Sequence, residues 1–215
     1  MEKKKKEASF SVALGLFDYI NPIFYTVTSL TIIKNMKGVM DTPLYVIYII
    51  GALLSLVFGF TIPTVKFLVG MGKMKFEMPV NLVCFVNTGI FISGLMFSKY
   101  VMNINTGVFI AIIIAAGILL TAIYMKHKKF NTVAVLIGGV GYLLLYISLI
   151  TLSSRNQIIF PIVLYAIAIC LFVLLILIGC KSDLMNPKVH WAIEISNVLC
   201  QGSVALGTVL LFSAM

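Results

Sequence analysis

The chain has 215 residues, of which 61% are apolar and only 11% charged, against roughly 25% charged in an average soluble domain, and its mean hydropathy is +1.11. This composition excludes a water-soluble single core. At about 20 residues per membrane helix, such a chain holds about seven spans and leaves no room for a nucleotide-binding fold or other soluble domain. A net charge of +9 would suggest a nucleic-acid partner in a soluble protein. Here the basic residues occupy the short gaps between apolar runs, where cytoplasmic loops of membrane proteins gather them, and no nucleic-acid partner is expected.

Continuous apolar stretches lie at about 9–33, 43–70, 79–98, 106–125, 132–153, 158–180 and 190–213. They predict seven transmembrane helices in one all-α membrane domain over 1–215, because the runs lack the period-2 alternation that membrane strands need. The charged head, Met1 to Glu7, is followed by no A-x-A-like cleavage site, so the first helix is expected to be retained. With the N-terminus inside, one side holds Lys3, Lys4, Lys5, Lys6, Lys73, Lys75, Lys126, Lys128, Lys129, Lys181 and Lys188, and the other holds only Lys34, Lys37, Lys99 and Arg155. This asymmetry predicts an N-inside, C-outside multi-pass protein of the cell membrane, most naturally a bacterial cytoplasmic membrane.

In chain order, the first helix carries Asp18, Asn21, Tyr25 and Thr28 at i, i+3, i+7 and i+10, which is one helical face. Pro22 has no N–H, so the carbonyl of Asp18 loses its helical donor. The spacing predicts an interrupted polar helix of the kind that offers main-chain groups to a substrate. An ionisable group at mid-membrane costs at least about 2.5–3.5 kcal/mol, and Asp18, read as lying near mid-depth, is the first candidate for a coupling or cation-binding carboxylate. The second helix brings Thr61, Pro63, Thr64 and Lys66. Lys66 is expected to snorkel to the near interface, with an ion pair to Glu194 as the alternative. The third helix continues with Asn81, Cys84 and Thr88, and Asn87 beside them.

The fourth and sixth helices are almost wholly apolar and are expected to face lipid. Gly138, Gly139 and Gly141 in the fifth make a smooth surface for tight packing, with Tyr142 and Tyr146 one turn apart beyond them. The seventh aligns His190, Glu194, Asn197, Gln201 and Thr208 on one face, near Gly202 and Gly207. A polar path is therefore expected among helices one, two, three and seven, with Tyr146 as a wall. Cys84, Cys170, Cys180 and Cys200 show no CxxC spacing and suggest neither a disulfide framework nor a metal site. No cofactor is expected.

Two segments repeat. Ser11-Val12-Ala13-Leu14 and Tyr25 of the first helix correspond to Thr132-Val133-Ala134-Val135 and Tyr146 of the fifth, while Asn81 and Cys84 of the third correspond to Asn197 and Cys200 of the seventh. These matches suggest two parallel three-helix units joined by the fourth helix. That 3+1+3 plan is similar to those of the sugar-transporting SWEET proteins and the PnuC vitamin transporters. The likeness is one of architecture: the chain has no PQ dipeptide, and Trp191 is its only tryptophan. Microbial rhodopsins need a lysine in the middle of the last helix, and 191–212 contains none.

These residues point to a small transporter or channel-like facilitator that moves a small solute or ion by a gradient-driven mechanism. Asp18, Asn21, Tyr25, Asn81, Glu194, Asn197 and Gln201 are the substrate- or ion-binding candidates, and Lys66 with Glu194 is a gating ion pair. The alternative is a non-catalytic membrane partner: an immunity protein, a sensor or a complex subunit. The chain's surroundings are the lipid bilayer and either copies of itself or a partner membrane protein. An intramembrane enzyme is disfavoured, because helix positions put Asp18 and Glu194 about 10 Å apart along the membrane normal at 1.5 Å per residue. Cys84 with His127 or His190 would make a thiol site, but burial weakens a thiolate.

Overall fold

The structure, a computed structural model, describes residues 11–73, 80–127, 130–181 and 187–215. Among these residues there are nine helices and no strand: α1 (Val12–Asp18), α2 (Ile20–Met36), α3 (Thr42–Gly59), α4 (Thr61–Gly70), α5 (Val80–Met102), α6 (Thr106–His127), α7 (Phe130–Arg155), α8 (Ile159–Lys181) and α9 (Pro187–Ala214). Tyr19 between α1 and α2 (φ −64°, ψ −20°) and Phe60 between α3 and α4 (φ −73°, ψ −21°) both keep right-handed helical backbone. Each pair is therefore one kinked rod, and the described helices amount to seven rods.

Five stretches are long and apolar enough to cross a membrane: Thr42–Gly70, Val83–Met102, Val133–Arg155, Ile159–Ile178 and Lys188–Ala214. The expectation of seven is met only to that extent. The break at Tyr19 divides the first rod into helices of 7 and 17 residues, and in α6 the apolar helix that qualifies is the shorter Thr106–Ala115. The side-chain distribution is that of a membrane protein. Leu30, Val57, Ile118, Val135 and Phe160 are exposed, while Thr28, Ser29, Ser98, Ser148 and Thr208 are buried. In hydrocarbon the polar group seeks a partner inside the bundle and the large aliphatic side chain needs none.

Six rods close into a ring. The α1–α2 rod packs on α3–α4, α3 on α5, α5 on α7, α7 on α8, α8 on α9, and α9 back on α2, while α6 leans on α7 from outside and meets Lys99 of α5 through Thr106 and Phe109. As expected, α6 is largely exposed. In contrast, α8 buries Tyr165 and Ala168, and Tyr165 reaches Thr208 of α9 at 3.4 Å, so it is a ring member and not merely a lipid-facing helix.

Helix ends are closed by recurring local chemistry. Gly72, Asn103 and Gln157 adopt positive φ after α4, α5 and α7, and the following N–H returns to a carbonyl five residues back: Lys73 to Leu68, Ile104 to Lys99 and Ile158 to Ser153. These are Schellman closures, which satisfy carbonyls that the helix leaves orphaned. At the start of α1, Ser11 Oγ accepts from the N–H of Leu14 at 3.1 Å, an N-cap.

Candidate functional site

The ring's most polar region is built where α1, α4 and α9 meet. Gly15, one turn before Asp18, lies against the backbone of α4, where a methyl would approach Phe67 Cα to 2.6 Å; Gly70 lies likewise against Val12, with 2.8 Å to its nitrogen. With no Cβ at either position, α1 and α4 approach closely. That closeness brings the long side chain of Lys66 to Asp18.

Lys66 does not snorkel. It is 8% exposed, and its Nζ lies 2.7 Å from Asp18 Oδ2 and 2.6 Å from Glu194 Oε1. On the other side of the two carboxylates, Asn21 Nδ2 donates to Asp18 Oδ1 at 3.0 Å and to Glu194 Oε2 at 3.1 Å. One ammonium and one amide thus bridge both acids in a closed ring of four side chains, all buried. Both carboxylates are held by charged or amide donors, the arrangement that lets an ion pair persist away from water.

The expected separation of about 10 Å between Asp18 and Glu194 is overturned, because two oxygens that touch a single nitrogen cannot be that far apart. The error lay in helix starts. α9 begins at Pro187, three residues earlier than the apolar run, which puts Glu194 seven residues inside its helix, and Asp18 lies six residues into α1. At 1.5 Å per residue the two reach nearly equal depth, about 10 Å from the same end of the bundle. Asp18 is accordingly nearer that end than mid-depth.

The cluster forms one wall of a cavity of about 220 Å³. Tyr25, Ser55, Gly59, Tyr142, Asn197 and Gln201 line the remainder. Tyr25 OH pairs with Ser93 Oγ at 2.9 Å, and its ring meets that of Tyr142 edge-on at 6.3 Å. Tyr142, not Tyr146, is the aromatic wall contributed by α7. Tyr146 is fully buried behind it, accepting from Gln201 Nε2 at 3.4 Å and contacting Cys200 Sγ at 3.6 Å. Both tyrosines share a helical face, and the depth of the neighbouring helices decides which one meets the cavity.

Two kinks meet beside the cluster. Pro22 cannot donate to the carbonyl of Asp18, and Pro63 cannot donate to that of Gly59. The break residues of the two rods touch: the rings of Tyr19 and Phe60 are 6.5 Å apart, and Tyr19 OH pairs with Thr64 Oγ1 at 2.6 Å. The first rod is interrupted, as expected, by a kink: α1 ends at Asp18 and α2 begins at Ile20. Its backbone stays helical through Tyr19, whose N–H bonds to Leu16 at 3.3 Å.

The candidate residues divide as follows. Asp18, Asn21, Tyr25, Lys66, Glu194, Asn197 and Gln201 are brought to one cavity. Asn81 lies outside the residues whose side chains are described, as do Cys180 and His127. In α5 the stripe was misread: Thr88 points outward, and Val86 and Ile90 face the cavity instead. Ser55, Ser93, Gly59 and Tyr142 were not singled out as site residues. Pro63, three residues before Lys66 and matched by Pro22 in the first rod, was the available signal for the second kink. Among the described residues no group of three His, Cys, Asp or Glu could hold a metal ion.

No known family matches this chain, and neither a curated protein nor a solved structure resembles it detectably. Its function has to be read from its own geometry.

Proposed function

We propose that the protein is a small gradient-driven membrane transporter or channel-like facilitator for a small solute or ion, without enzymatic activity. The observation that carries this reading is the cavity at the Asp18–Lys66–Glu194–Asn21 cluster. When both carboxyl groups are ionised, the single ammonium leaves one negative charge uncompensated, buried where an isolated charge is costly. A proton or another monocation that enters the cavity balances it. Binding and release of that ion is the elementary step of coupling, with Asp18 and Glu194 as acceptors and Lys66 as their resident partner. The paired kinks at Tyr19 and Phe60 supply points at which two rods can bend together.

The seven rods are read as seven spans with the N-terminus in the cytoplasm of a bacterial cell, which puts the cluster nearer the cytoplasmic face. They are also read as two parallel three-helix units. The order around the ring favours this, since rods one, two and three are followed in the same sense by five, six and seven; an inverted pair would run round the ring in the opposite sense. In each unit a tyrosine of the first rod bonds to the third: Tyr25 to Ser93, and Tyr146 to Gln201.

Solid-supported-membrane electrophysiology of proteoliposomes, scanning inorganic ions, amines and small metabolites with and without a proton gradient, tests the transport reading. The expected result is a solute-dependent current that Asp18→Asn abolishes in a protein that still elutes as a single species. Absence of current across the panel, with stable co-purification of another membrane protein, overturns it in favour of a partner subunit. The topology is tested by single cysteines on a Cys-free background. Those at Lys37, Lys99 and Arg155 are expected to react with an impermeant maleimide on intact cells, and those at Lys73, Lys128 and Lys188 are not. The reverse pattern rejects the orientation.

A further inference from the structure

We propose that the cavity is a binding site for a small organic monocation, a primary amine or quaternary ammonium compound, with its charged group at Asp18, Glu194 and Asn21 and its body against Tyr25 and Tyr142. The proposal rests on the reading of this cavity as the transport site and goes beyond it by naming the class of solute.

Charge sets the sign of the ligand. Lys66 opposes one positive charge to two ionisable carboxyl groups, Asp18 and Glu194, and the remaining lining residues carry no charged side chain. A ligand with one positive charge brings the site to neutrality, whereas an anion would add to the imbalance beside two carboxylates. A neutral solute leaves the imbalance as it was.

An unsatisfied acceptor marks where the ligand's donor goes. Asn21 gives its amide nitrogen to both carboxylates, but its Oδ1 has no hydrogen-bond partner among the described residues, although Asn21 is only 8% exposed and belongs to the cavity wall. Buried amide oxygens are almost always paired. An N–H of an amine, or the hydroxyl of a choline-like ligand, is a donor of the kind that this oxygen lacks.

Size and lining favour an organic cation over a bare metal ion. The cavity measures about 220 Å³, where a single water needs only about 10–15 Å³. An inorganic ion would occupy only a small part of that volume. Tyr25 and Tyr142, whose rings lie 6.3 Å apart and edge-on to one another, both line the cavity, and aromatic rings attract alkylammonium groups. Asn197 and Gln201 on the α9 side add amide groups that can hold a hydroxyl or a second polar atom of the ligand.

The test is equilibrium binding of radiolabelled choline to the purified protein in lipid nanodiscs, measured without any gradient, alongside choline flux in proteoliposomes. Expected are saturable binding that tetramethylammonium or methylammonium displaces, and no displacement by the neutral carbon isostere 3,3-dimethyl-1-butanol. Asp18→Asn and Glu194→Gln each bring the cluster to zero charge, and each is expected to weaken binding at least about tenfold. Two independent variants guard against one that fails to fold. Tyr142→Phe keeps the ring and retains binding, while Tyr142→Leu is expected to weaken it about fivefold. Absence of saturable choline binding to the wild-type protein, or equal competition by the neutral isostere, overturns the proposal. Flux of protons or sodium without choline binding overturns it too, yet leaves the transport reading standing. Choline binding without flux of any kind supports the site and rejects the transport reading.

Discussion

The α5–α7 seam and the α1–α4–α9 cluster solve opposite problems with the same helical material. Along the seam the backbones touch: Gly94 faces the carbonyl of Gly141, and a methyl at Gly141 would lie 2.5 Å from Phe91 Cα. Polar groups there are few and close locally, with Ser148 donating to Ser98 at 3.0 Å and Arg155 to the carbonyl of Val101. The seam is dry and its helices are unbroken. At the cluster both rods kink, ionisable side chains meet, and a cavity of about 220 Å³ remains beside them. Tight packing of small residues leaves neither room nor need for a ligand, whereas a charged cluster bordered by open volume is an unfinished contact. The seam helices also reach the cavity, through Val86 and Ile90 of α5 and Tyr142 of α7, so the tight contact holds one wall of the site.

The largest expected effect breaks the cluster. Lys66→Met removes the only ammonium between two buried carboxylates and is expected to cost about 3–5 kcal/mol, read as loss of monodisperse protein or a steep fall in the SDS concentration at half-unfolding. Adding Asp18→Asn and Glu194→Gln in the same chain is expected to restore most of it, since no unpaired charge then remains. A Lys66→Met protein as stable as wild type would mean that the cluster is hydrated and that the contrast with the seam is false.

Next in size is a pair of glycine substitutions that sharpens the comparison. Gly141→Ala forces α7 away from α5 and is expected to cost about 1–3 kcal/mol. Gly59→Ala, at the kink, meets only Pro22 Cβ at 3.8 Å and is expected to change stability by no more than about 0.5 kcal/mol. Equal effects in the same unfolding titration would erase the distinction between a seam that excludes side chains and a kink that tolerates them.

Tyr19→Phe removes the hydrogen bond that joins the two kinks and is expected to cost about 1 kcal/mol, with a larger change in flux than in stability if the kinks bend together. Smallest is Ser148→Ala in the seam, where loss of one interhelical hydrogen bond is expected to cost about 0.6 kcal/mol and leave choline binding unchanged. A binding defect in Ser148→Ala would extend the functional region into the seam.

Much was legible without the fold. The hydropathy pattern marked every rod, because a backbone in hydrocarbon must bond to itself and the required run length is set by the bilayer. The inward faces were legible too: Asp18, Asn21, Tyr25 and Thr28 all prove buried, and so do Glu194, Gln201 and Thr208, since the 3.6-residue period determines the angular position of a side chain about its own axis. The tertiary structure alone decided the rest. Periodicity carries no information about how far one helix slides along another, and each residue of error in a helix start moves a side chain by about 1.5 Å. That is why Asp18 and Glu194 were read as distant, Lys66 as snorkelling, and Tyr146 as the cavity wall in place of Tyr142. Composition determined that the chain is a helical membrane protein; only the axial offsets of α1, α4 and α9, the first two packed closely at Gly15 and Gly70, decided that two acids, one lysine and one asparagine form a single site.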